Sequence, residues 1–410
     1  MRLRLFIASA GLANLADGIA TLAWAWLASL LTREPLLIAA VPIALRLPWV
    51  MLAIPAGLAT DRGDRRRLIV TADCVRAGAF AAMAVALAVH GPLPDIPRTG
   101  ISVPWLLALL AAVALISGGA EVVRDNAAQT MMPALVPHDR LEHANGRLWS
   151  VEMTTNLLAG PALGAALIGA AAALPFAANA VAYGAAAVLV ARLPGAFRPP
   201  PRRRAWRAEL SEAAGFLVSR PLLVALAAAT GAWNFLHAGT HVALLLHAQE
   251  NLGTSALAYS GLLAASAAGG IAGGWIAPGI VGRIGRVRTV RAALVASPLG
   301  FAAMALAPGY VTLALALASF EFAGIAWNTV SVATRQRLIP DAMLGRVSSL
   351  YRLLAWGAIP AGLAAAGWLI GRGETVVPRG DALLWPFWVA AGGSAVLAAS
   401  CWRALGRIEG

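Results

Sequence analysis

The sequence predicts an all-α polytopic membrane protein with twelve transmembrane helices in two pseudo-symmetric six-helix bundles. Of its 410 residues, 60% are hydrophobic and 12% are charged, and the mean hydropathy is +0.73. Soluble domains are about half apolar and about a quarter charged. Apolar blocks recur along the whole chain, each with roughly the 20 residues that cross a hydrocarbon layer. These blocks leave no stretch for a soluble domain.

Arginine supplies all the basic charge, since the chain contains no lysine and has a net charge of +13. Most of the 32 arginines fall in segments that we assign to the cytoplasmic side. The exceptions are Arg33, Arg98, Arg372 and Arg379 outside, and Arg46, Arg76 and Arg352 within spans. Because cationic loops resist translocation, the charge predicts topology and argues against a nucleic-acid partner. We therefore expect a multi-pass protein of the cell (plasma or inner) membrane with both termini cytoplasmic.

Twelve apolar stretches supply the predicted spans. Residues 1–31 are too long for a secretory signal and are interrupted by Asp17, so we keep them as span 1. The remaining spans are predicted at 35–59, 68–90, 104–123, 147–169, 174–193, 221–247, 256–280, 289–307, 309–334, 346–370 and 382–402.

Charged residues inside spans 2 to 4 need partners or water. Arg46 lies near the middle of span 2. Asp73 and Arg76 in span 3 are three residues apart, as are Glu121 and Arg124 at the end of span 4. This spacing allows pairing along one helix.

One face of span 5 changes along its length from polar to glycine-lined. Glu152, Asn156, Gly160 and Gly164 recur at every fourth position, which places them on one side of an α-helix. Small residues there permit close approach of a neighbouring helix.

A basic, proline-rich segment at 198–204 separates the two halves. We predict an N-terminal bundle at 1–193, a cytoplasmic linker at 194–220 and a C-terminal bundle at 221–410. Within the linker, residues 206–219 have an amphipathic pattern that predicts a short helix along the cytoplasmic surface.

A repeat supports two equivalent halves. The motif Leu135-Val136-Pro137, followed by Leu141, recurs as Leu338-Ile339-Pro340, followed by Leu344. Parallel repeats of this kind place a binding site near the bilayer midplane.

Four segments resemble the major facilitator superfamily or one of its branches. The run Gly57…Asp61-Arg62…Arg65-Arg66 is similar to its loop 2/3 motif, although Asp64 stands where that motif has glycine. The run 160–164, with Gly160, Pro161 and Gly164, is similar to the span 5 motif of exporters, although Ala165 replaces its second paired glycine. Residues 131–145 and 335–346 resemble the branch of enterobactin and macrolide exporters.

The resemblance implies a cytoplasmic gate. Its members are expected to be Gly57, Asp61, Arg62, Arg65, Arg124, Gly345 and Arg346. Asp61 is expected to interact near Gly345 and with Arg124. A carboxylate at a helix N-terminus, which we expect for Asp61, is also favoured by the helix dipole. We predict a polar turn at 57–67 between spans 2 and 3, and for its Arg66 and Arg67 topology is the simpler explanation.

In this superfamily spans 1, 4, 7 and 10 line the central cavity, and each carries a polar candidate here. They are Asp17, Glu121, Asn234 with His237, and Glu321. An ionisable group inside a span costs at least about 2.5 kcal/mol on insertion scales. We expect Asp17 and Glu321 to serve proton coupling or cationic-substrate binding. The alternative is structural pairing, for example of Asp17 with Arg46.

Other residues of spans 7 and 10 have several possible roles. Trp233 and Trp327 are placed to contact an apolar or aromatic substrate. His237 and His241 are four residues apart, but no Cys, Asp or Glu is close in sequence. We therefore predict no metal site and no cofactor.

The sequence predicts a monomeric secondary active transporter rather than an enzyme. Without lysine there is no P-loop, and no nucleophile–base pair is recognisable. We expect proton-coupled export of a small amphipathic molecule, such as a drug, siderophore or secondary metabolite, by alternating access. The alternatives are an uptake permease of the same fold, or a receptor or assembly subunit without transport.

Overall fold

The computed structural model describes residues 2–97, 99–137, 141–198, 206–403 and 405. These residues form helices and connections, and their only β feature is an isolated bridge between Thr32 and Ile101. Within this described part, twelve helical segments are long and apolar enough to cross a membrane. The all-α, twelve-span class is therefore confirmed.

The α-helices are numbered in chain order. They are α1 (Arg2–Leu31), α2 (Pro35–Arg62), α3 (Arg65–His90), α4 (Pro104–Met131), α5 (Leu141–Met153), α6 (Gly160–Ala170), α7 (Leu174–Ala191), α8 (Trp206–Val218), α9 (Pro221–Leu246), α10 (Ala256–Ile284), α11 (Arg286–Leu306), α12 (Tyr310–Leu338), α13 (Asp341–Trp356), α14 (Ile359–Gly373), α15 (Arg379–Ala382) and α16 (Trp385–Cys401).

Four spans are not single α-helices. Span 5 combines α5 and α6 through a π-helical segment, Thr154–Ala159, and span 7 continues from α9 into a second π-helical segment, His247–Asn251. Span 11 combines α13 and α14, and span 12 combines α15 and α16. Such π segments interrupt the regular side-chain register, and they are frequent at functional sites.

Two compact units divide the chain. The first comprises Met1–Arg203 and Ser255–Ser260, and the second comprises Arg204–Thr254 and Gly261–Gly410. The basic part of the predicted linker, 199–205, lies outside the described residues. The bundle and linker boundaries predicted from the sequence stay predictions.

In the first unit, α1 packs against α6 and α7, α3 packs against α4 and α7, and α2 packs against α4. The crossing of α1 with span 5 is very close. A Cβ added at Gly18 would lie 2.4 Å from the Asn156 oxygen, and one at Gly160 would lie 2.5 Å from the Gly18 Cα. Only glycine fits this contact, as the glycine-lined face of span 5 predicts.

The second unit repeats this arrangement. There α9 packs against α14 and α16, and α11 packs against α12 and α16. A Cβ at Gly362 on α14 would lie 2.0 Å from the Phe235 oxygen on α9. Spans 7 and 11 therefore cross as closely as spans 1 and 5, which agrees with the repeat seen in the sequence.

The polar turn predicted at 57–67 is much shorter than expected. Helix α2 continues to Arg62 and α3 begins at Arg65, so only Gly63 and Asp64 connect them. The Asp64 side chain caps α3 by accepting a hydrogen bond from the Arg67 backbone N–H at 3.2 Å. The expectation that Asp61 lies at a helix N-terminus is wrong, because Asp61 belongs to the last turn of α2.

Two further spans also run past their predicted ends. Helix α4 reaches Met131 rather than residue 123, and α12 reaches Leu338 rather than residue 334. Both extensions carry polar residues, which a helix accepts once it leaves the hydrocarbon layer. A hydropathy pattern marks where the apolar stretch ends, whereas the helix continues beyond it.

The predicted amphipathic helix exists as α8, and its apolar side packs on protein. Ala213 and Leu217 are buried in a cluster with Leu223, Ile339 and Val347. Arg346 on α13 donates from Nη1 to Oε2 of Glu212 on α8 at 3.1 Å. The second unit, rather than a lipid surface, thus covers the apolar face of α8.

Candidate functional site

The first unit contains a polar cavity of about 200 Å³ at membrane depth. Side chains from spans 1 to 6 line it. Its polar lining consists of Asn14, Asp17, Thr21, Arg46, Arg76, Ser117, Glu121, Asp125, Asn156 and Tyr183. Three carboxyl groups and two guanidinium groups therefore share one small space.

Asp17 is held by two partners on neighbouring helices. The Tyr183 hydroxyl on α7 donates to Asp17 Oδ1 at 2.7 Å, and Arg76 Nη2 on α3 donates to the same carboxylate. Arg76 Nη2 also donates to the Tyr183 oxygen at 2.5 Å, and its guanidinium lies 4.0 Å from the Tyr183 ring centroid. The Arg76 side chain is 2% exposed. The alternative pairing of Asp17 with Arg46 is therefore wrong.

Glu121 and Arg46 form a looser pair. Arg46 Nη1 lies 3.8 Å from Glu121 Oε1, and the Arg46 side chain is 48% exposed. The two helices cross tightly nearby, because a Cβ at Gly118 would lie 2.1 Å from the Leu45 oxygen. This crossing of α2 and α4 brings Arg46 opposite Glu121.

Asp73 and Arg124 form a buried ion pair between α3 and α4. Arg124 Nε donates to Asp73 Oδ1 at 2.8 Å, and the two side chains are 6% and 0% exposed respectively. The spacing-based expectations that Asp73 pairs with Arg76 and Glu121 with Arg124 are wrong. Each charge faces the interior of the unit, where a neighbouring helix offers a better-aligned partner.

The polar face of span 5 is only partly as predicted. Asn156 Nδ2 donates to Asn14 Oδ1 on α1 at 3.3 Å. Before the π-helical segment, the Val151 side chain lies opposite Gly11 of α1. A π turn needs one residue more than an α turn. The glycines after Asn156 keep the predicted face.

Pro161 and Gly164 occupy the part of span 5 beyond the π segment. Pro161 is buried in the first turn of α6, directly after the π-helical segment. A Cβ at Gly164 would lie 2.7 Å from the Ile19 oxygen. Both residues therefore support the close packing of span 5 on α1.

In the second unit, His237 on α9 faces Glu321 on α12. His237 Nε2 lies 3.4 Å from Glu321 Oε1, and the side chains are 20% and 25% exposed. The Trp233 ring lies 4.6 Å from the His237 ring and stacks on Phe320 with an interplanar angle of 10°. A titratable pair is thus enclosed by aromatic faces, which favour a cation.

A smaller cavity of about 100 Å³ lies beside this pair, and Trp233, Asn234 and Trp327 line it. Trp233 Nε1 donates to Ser297 Oγ at 3.2 Å. Asn234 Nδ2 donates to the Ala355 carbonyl at 2.8 Å. Asn234 thus uses an amide hydrogen to join α9 to α13, while the tryptophan rings present apolar surface.

The gate residues of the first unit have different surroundings. Arg65 Nη1 donates to the Thr130 carbonyl at the end of α4 at 2.7 Å. Arg62 is exposed, and a Cβ at Gly57 would meet no described atom within 4 Å. Arg65 therefore joins the ends of two spans, whereas Gly57 faces open space.

The remaining gate expectations are untested. The side chain of Asp61 lies outside the described part of the chain. Gly345 and Arg346 belong to α13 in the second unit, where Arg346 bonds to Glu212. The contact of Asp61 with Arg124 or near Gly345 therefore stays a prediction.

Among the described residues, no group of three or more His, Cys, Asp or Glu side chains is arranged to hold a metal ion. The rings of His237 and His241 lie 4.8 Å apart. His237 thus contacts both Glu321 and a second imidazole.

A family profile described as transmembrane secretion effector matches residues 3–377. The chain belongs to this family. The resemblance to the major facilitator superfamily drawn from the sequence motifs is therefore confirmed, and the fold and family are those of transporters, not enzymes. A search of curated proteins for sequence relatives of this chain gave no significant match.

Several solved transporters share the fold of this chain. A bacterial homologue of the iron transporter ferroportin in an inward-facing state has 16% identity and a TM-score of 0.75, with 99% of this chain and 100% of that chain covered. A D-xylose-proton symporter has 12% identity and a TM-score of 0.74, with 98% and 96% covered. The nucleoside transporter NupG has 16% identity and a TM-score of 0.66, with 99% and 100% covered.

Sequence reasoning missed five of the polar residues that line the first cavity, which are Asn14, Thr21, Ser117, Asp125 and Tyr183. Tyr183 looked like an ordinary aromatic residue of span 6, and Ser117 like a small residue of span 4. A tyrosine in mid-span was a usable signal, because its buried hydroxyl needs a hydrogen-bond partner. Ser117 gave no such signal, because serine is common in membrane helices.

Proposed function

We propose that this transporter is a proton-coupled exporter of small amphipathic molecules that works by alternating access. We further propose that it acts as a monomer in the cell membrane, with both termini in the cytoplasm. The observation that carries the proposal is the polar cavity of the first unit, where Asp17, Glu121 and Asp125 lie within membrane-spanning helices.

Carboxyl groups inside membrane-spanning helices are costly. This cost supports a functional role for the three carboxyl groups that line the cavity. The two guanidinium groups that line the cavity do not balance its three carboxylates. A proton can neutralise the surplus charge and can be released when the site reopens to water, which is the requirement for coupling.

The second unit supports the same coupling and suggests how a substrate binds. Glu321 and His237 form a titratable pair, and both are partly exposed. Trp233 and Trp327 line the adjoining cavity. Flat apolar surfaces beside a charge pair suit a molecule with an aromatic or apolar body and one polar group.

Export is proposed from the motifs of loop 2/3 and span 5 and from membership in the secretion effector family. The gate assigned to Asp61, Arg62, Arg65 and Arg124, with Gly345 and Arg346, is part of this proposal. A closed cytoplasmic gate would hold the transporter open to the outside after substrate has left.

The test is flux in inverted membrane vesicles that contain the full chain. An imposed pH gradient, acidic inside, should drive accumulation of compounds from a panel of fluorescent amphipathic dyes, and collapsing the gradient with a protonophore should abolish it. Vesicles with Glu321→Gln should lose gradient-driven accumulation, whereas Asp95→Asn, which removes an exposed charge from the segment between α3 and α4, should retain it. Gradient-driven loss of dye from the vesicles would support an uptake permease, and no flux with any dye would support a receptor or assembly subunit.

A further inference from the structure

We propose that Glu121 exchanges the proton in the cavity of the first unit, that Arg46 is its displaceable counter-charge, and that the Ser117 hydroxyl binds the water that delivers the proton. This inference rests on the proposed function for its role in transport. The protonation itself is a property of the cavity and can be tested without a substrate.

Asp17 is too firmly held to serve this role. Its carboxylate accepts from Tyr183 and from Arg76, whose guanidinium is buried and stacked on the Tyr183 ring. Protonating Asp17 would leave the Arg76 charge buried without a counter-ion, which is strongly unfavourable. Asp17 therefore holds α1, α3 and α7 together.

The other acidic residues of the cluster are also unsuitable. Asp73 is fully buried and bonded to Arg124. Asp125 lines the cavity, but its nearest guanidinium is also Arg124, at 3.9 Å. Because Arg124 is fixed by Asp73, the positive charge beside Asp125 does not leave.

Arg46 differs from these fixed arginines. Its side chain is about half exposed, and the contact with Glu121 is 3.8 Å long. A long arginine side chain at this depth can reach water when its charge is no longer needed. The tight backbone contact of Gly118 with Leu45 holds α2 against α4. The pair can therefore open through motion of the Arg46 side chain alone.

Ser117 gives a second observation, independent of the charges, that points to a bound ligand. It lies one helical turn before Glu121 on α4 and lines the same cavity, and it is 1% exposed. Among the residues that the structure describes, its buried Oγ has no hydrogen-bond partner. A buried hydroxyl without a partner is costly, so a bound molecule is expected there. Water fits, since the cavity is polar and has room for it.

Charged and titratable groups from four other helices, and one from α4 itself, line the cavity together with Glu121. They are Asp17 on α1, Arg46 on α2, Arg76 on α3, Asp125 on α4 and Tyr183 on α7. In the exchange, a hydronium ion gives its proton to a Glu121 oxygen and remains as water at Ser117. Arg46 keeps its own proton and turns toward solvent. Deprotonation reverses these steps and draws Arg46 back.

The experiment is infrared difference spectroscopy of the purified full-length protein in liposomes, recorded between alkaline and acidic buffer. The carbonyl stretch of a protonated carboxyl group should appear on acidification. Glu121→Gln should remove that band, while Asp17→Asn and Asp125→Asn should retain it. Arg46→Gln should move the midpoint of the band to higher pH, because the ionised carboxylate loses its counter-charge. Ser117→Ala should shift the band frequency, because the hydrogen-bonded water is lost.

A band that persists in Glu121→Gln would overturn the inference. If Glu121→Gln does not fold, Glu121→Asp replaces it, and an unchanged band frequency in that variant would also overturn the inference. These outcomes are independent of transport. A band that depends on Glu121 in a protein that moves no dye would refute the proposed exporter function but not the proton site.

Discussion

The guanidinium of Arg76 lies 4.0 Å above the ring of Tyr183, and each of the two side chains bonds to the carboxylate of Asp17. Three helices of the first unit meet at this arrangement. Because Arg76 is almost fully buried, its charge depends on these two partners. We therefore expect the stability of the first unit to be sensitive to all three residues.

Replacing Tyr183 with Phe should destabilise the protein by about 1–3 kcal/mol, because the variant removes a hydroxyl that both Asp17 and Arg76 use. Thermal unfolding in detergent measures the change. The matched control is Tyr259→Phe, a second buried tyrosine whose described contact is with the Trp26 ring. Equal effects of the two variants would contradict a special role for the Tyr183 hydroxyl.

Asp73→Asn should lower the free energy of unfolding by about 3–5 kcal/mol, since it leaves the buried Arg124 charge without its main partner. The double variant Asp73→Asn with Arg124→Gln should recover part of this loss. Unfolding of the two single variants and the double variant measures the coupling. Strictly additive effects would show that the ion pair does not act as a unit.

Gly118→Ala should cost about 1–3 kcal/mol by overpacking, because its Cβ would meet the Leu45 backbone. Gly119→Ala is the control, since its Cβ would lie 3.6 Å from Leu52 Cδ1, an ordinary contact. Gly118→Ala should also weaken the response of the Glu121 carboxyl band to Arg46→Gln, since the two helices move apart. An unfolding midpoint equal to that of Gly119→Ala would argue against a tight crossing.

Trp233→Ala should weaken binding of an aromatic dye by about threefold to tenfold, the range expected when one aromatic contact is lost. Trp233→Phe should retain most of the affinity. Dye fluorescence titration with purified protein gives the Kd. Trp275→Ala is the control, because Trp275 is 86% exposed. A comparable loss in Trp275→Ala would indicate non-specific partitioning.

Glu321→Gln should reduce the rate of pH-gradient-driven flux by about tenfold or more, because a hydrogen bond to a charged group contributes roughly 1.5–3 kcal/mol. Facilitated dye exchange without a gradient should persist, since the variant keeps its shape. Stopped-flow dye flux in proteoliposomes separates the two rates. Wild-type rates under a gradient would exclude Glu321 from coupling.

The spans were predictable because hydrocarbon imposes length and apolarity on every crossing. Their charged partners were not. The spacing of Asp73 and Arg76 permits a bond along one helix, yet each bonds to a different helix. Sequence spacing describes neighbours on one helix, whereas the rotation of each helix decides which side chains meet across the bundle.

Helix continuity was equally hard to predict. The basic run after residue 57 suggested an open turn, although helix continues to Arg62. Polar residues in a membrane protein indicate where the lipid ends, but they do not by themselves end a helix. The π segment of span 5 escaped prediction for a similar reason, because its residues fit an ordinary α-helix.

The two-residue connection between α2 and α3 couples the movements of these two helices. With only Gly63 and Asp64 between them, the Cα atoms of Arg62 and Arg65 can be no more than about 11 Å apart, because each of the three steps spans at most about 3.3–3.6 Å. A tilt of α2, which carries Arg46, must therefore pull on α3, which carries Arg76. A rearrangement around Glu121 that tilts α2 is in this way mechanically tied to the anchor at Asp17.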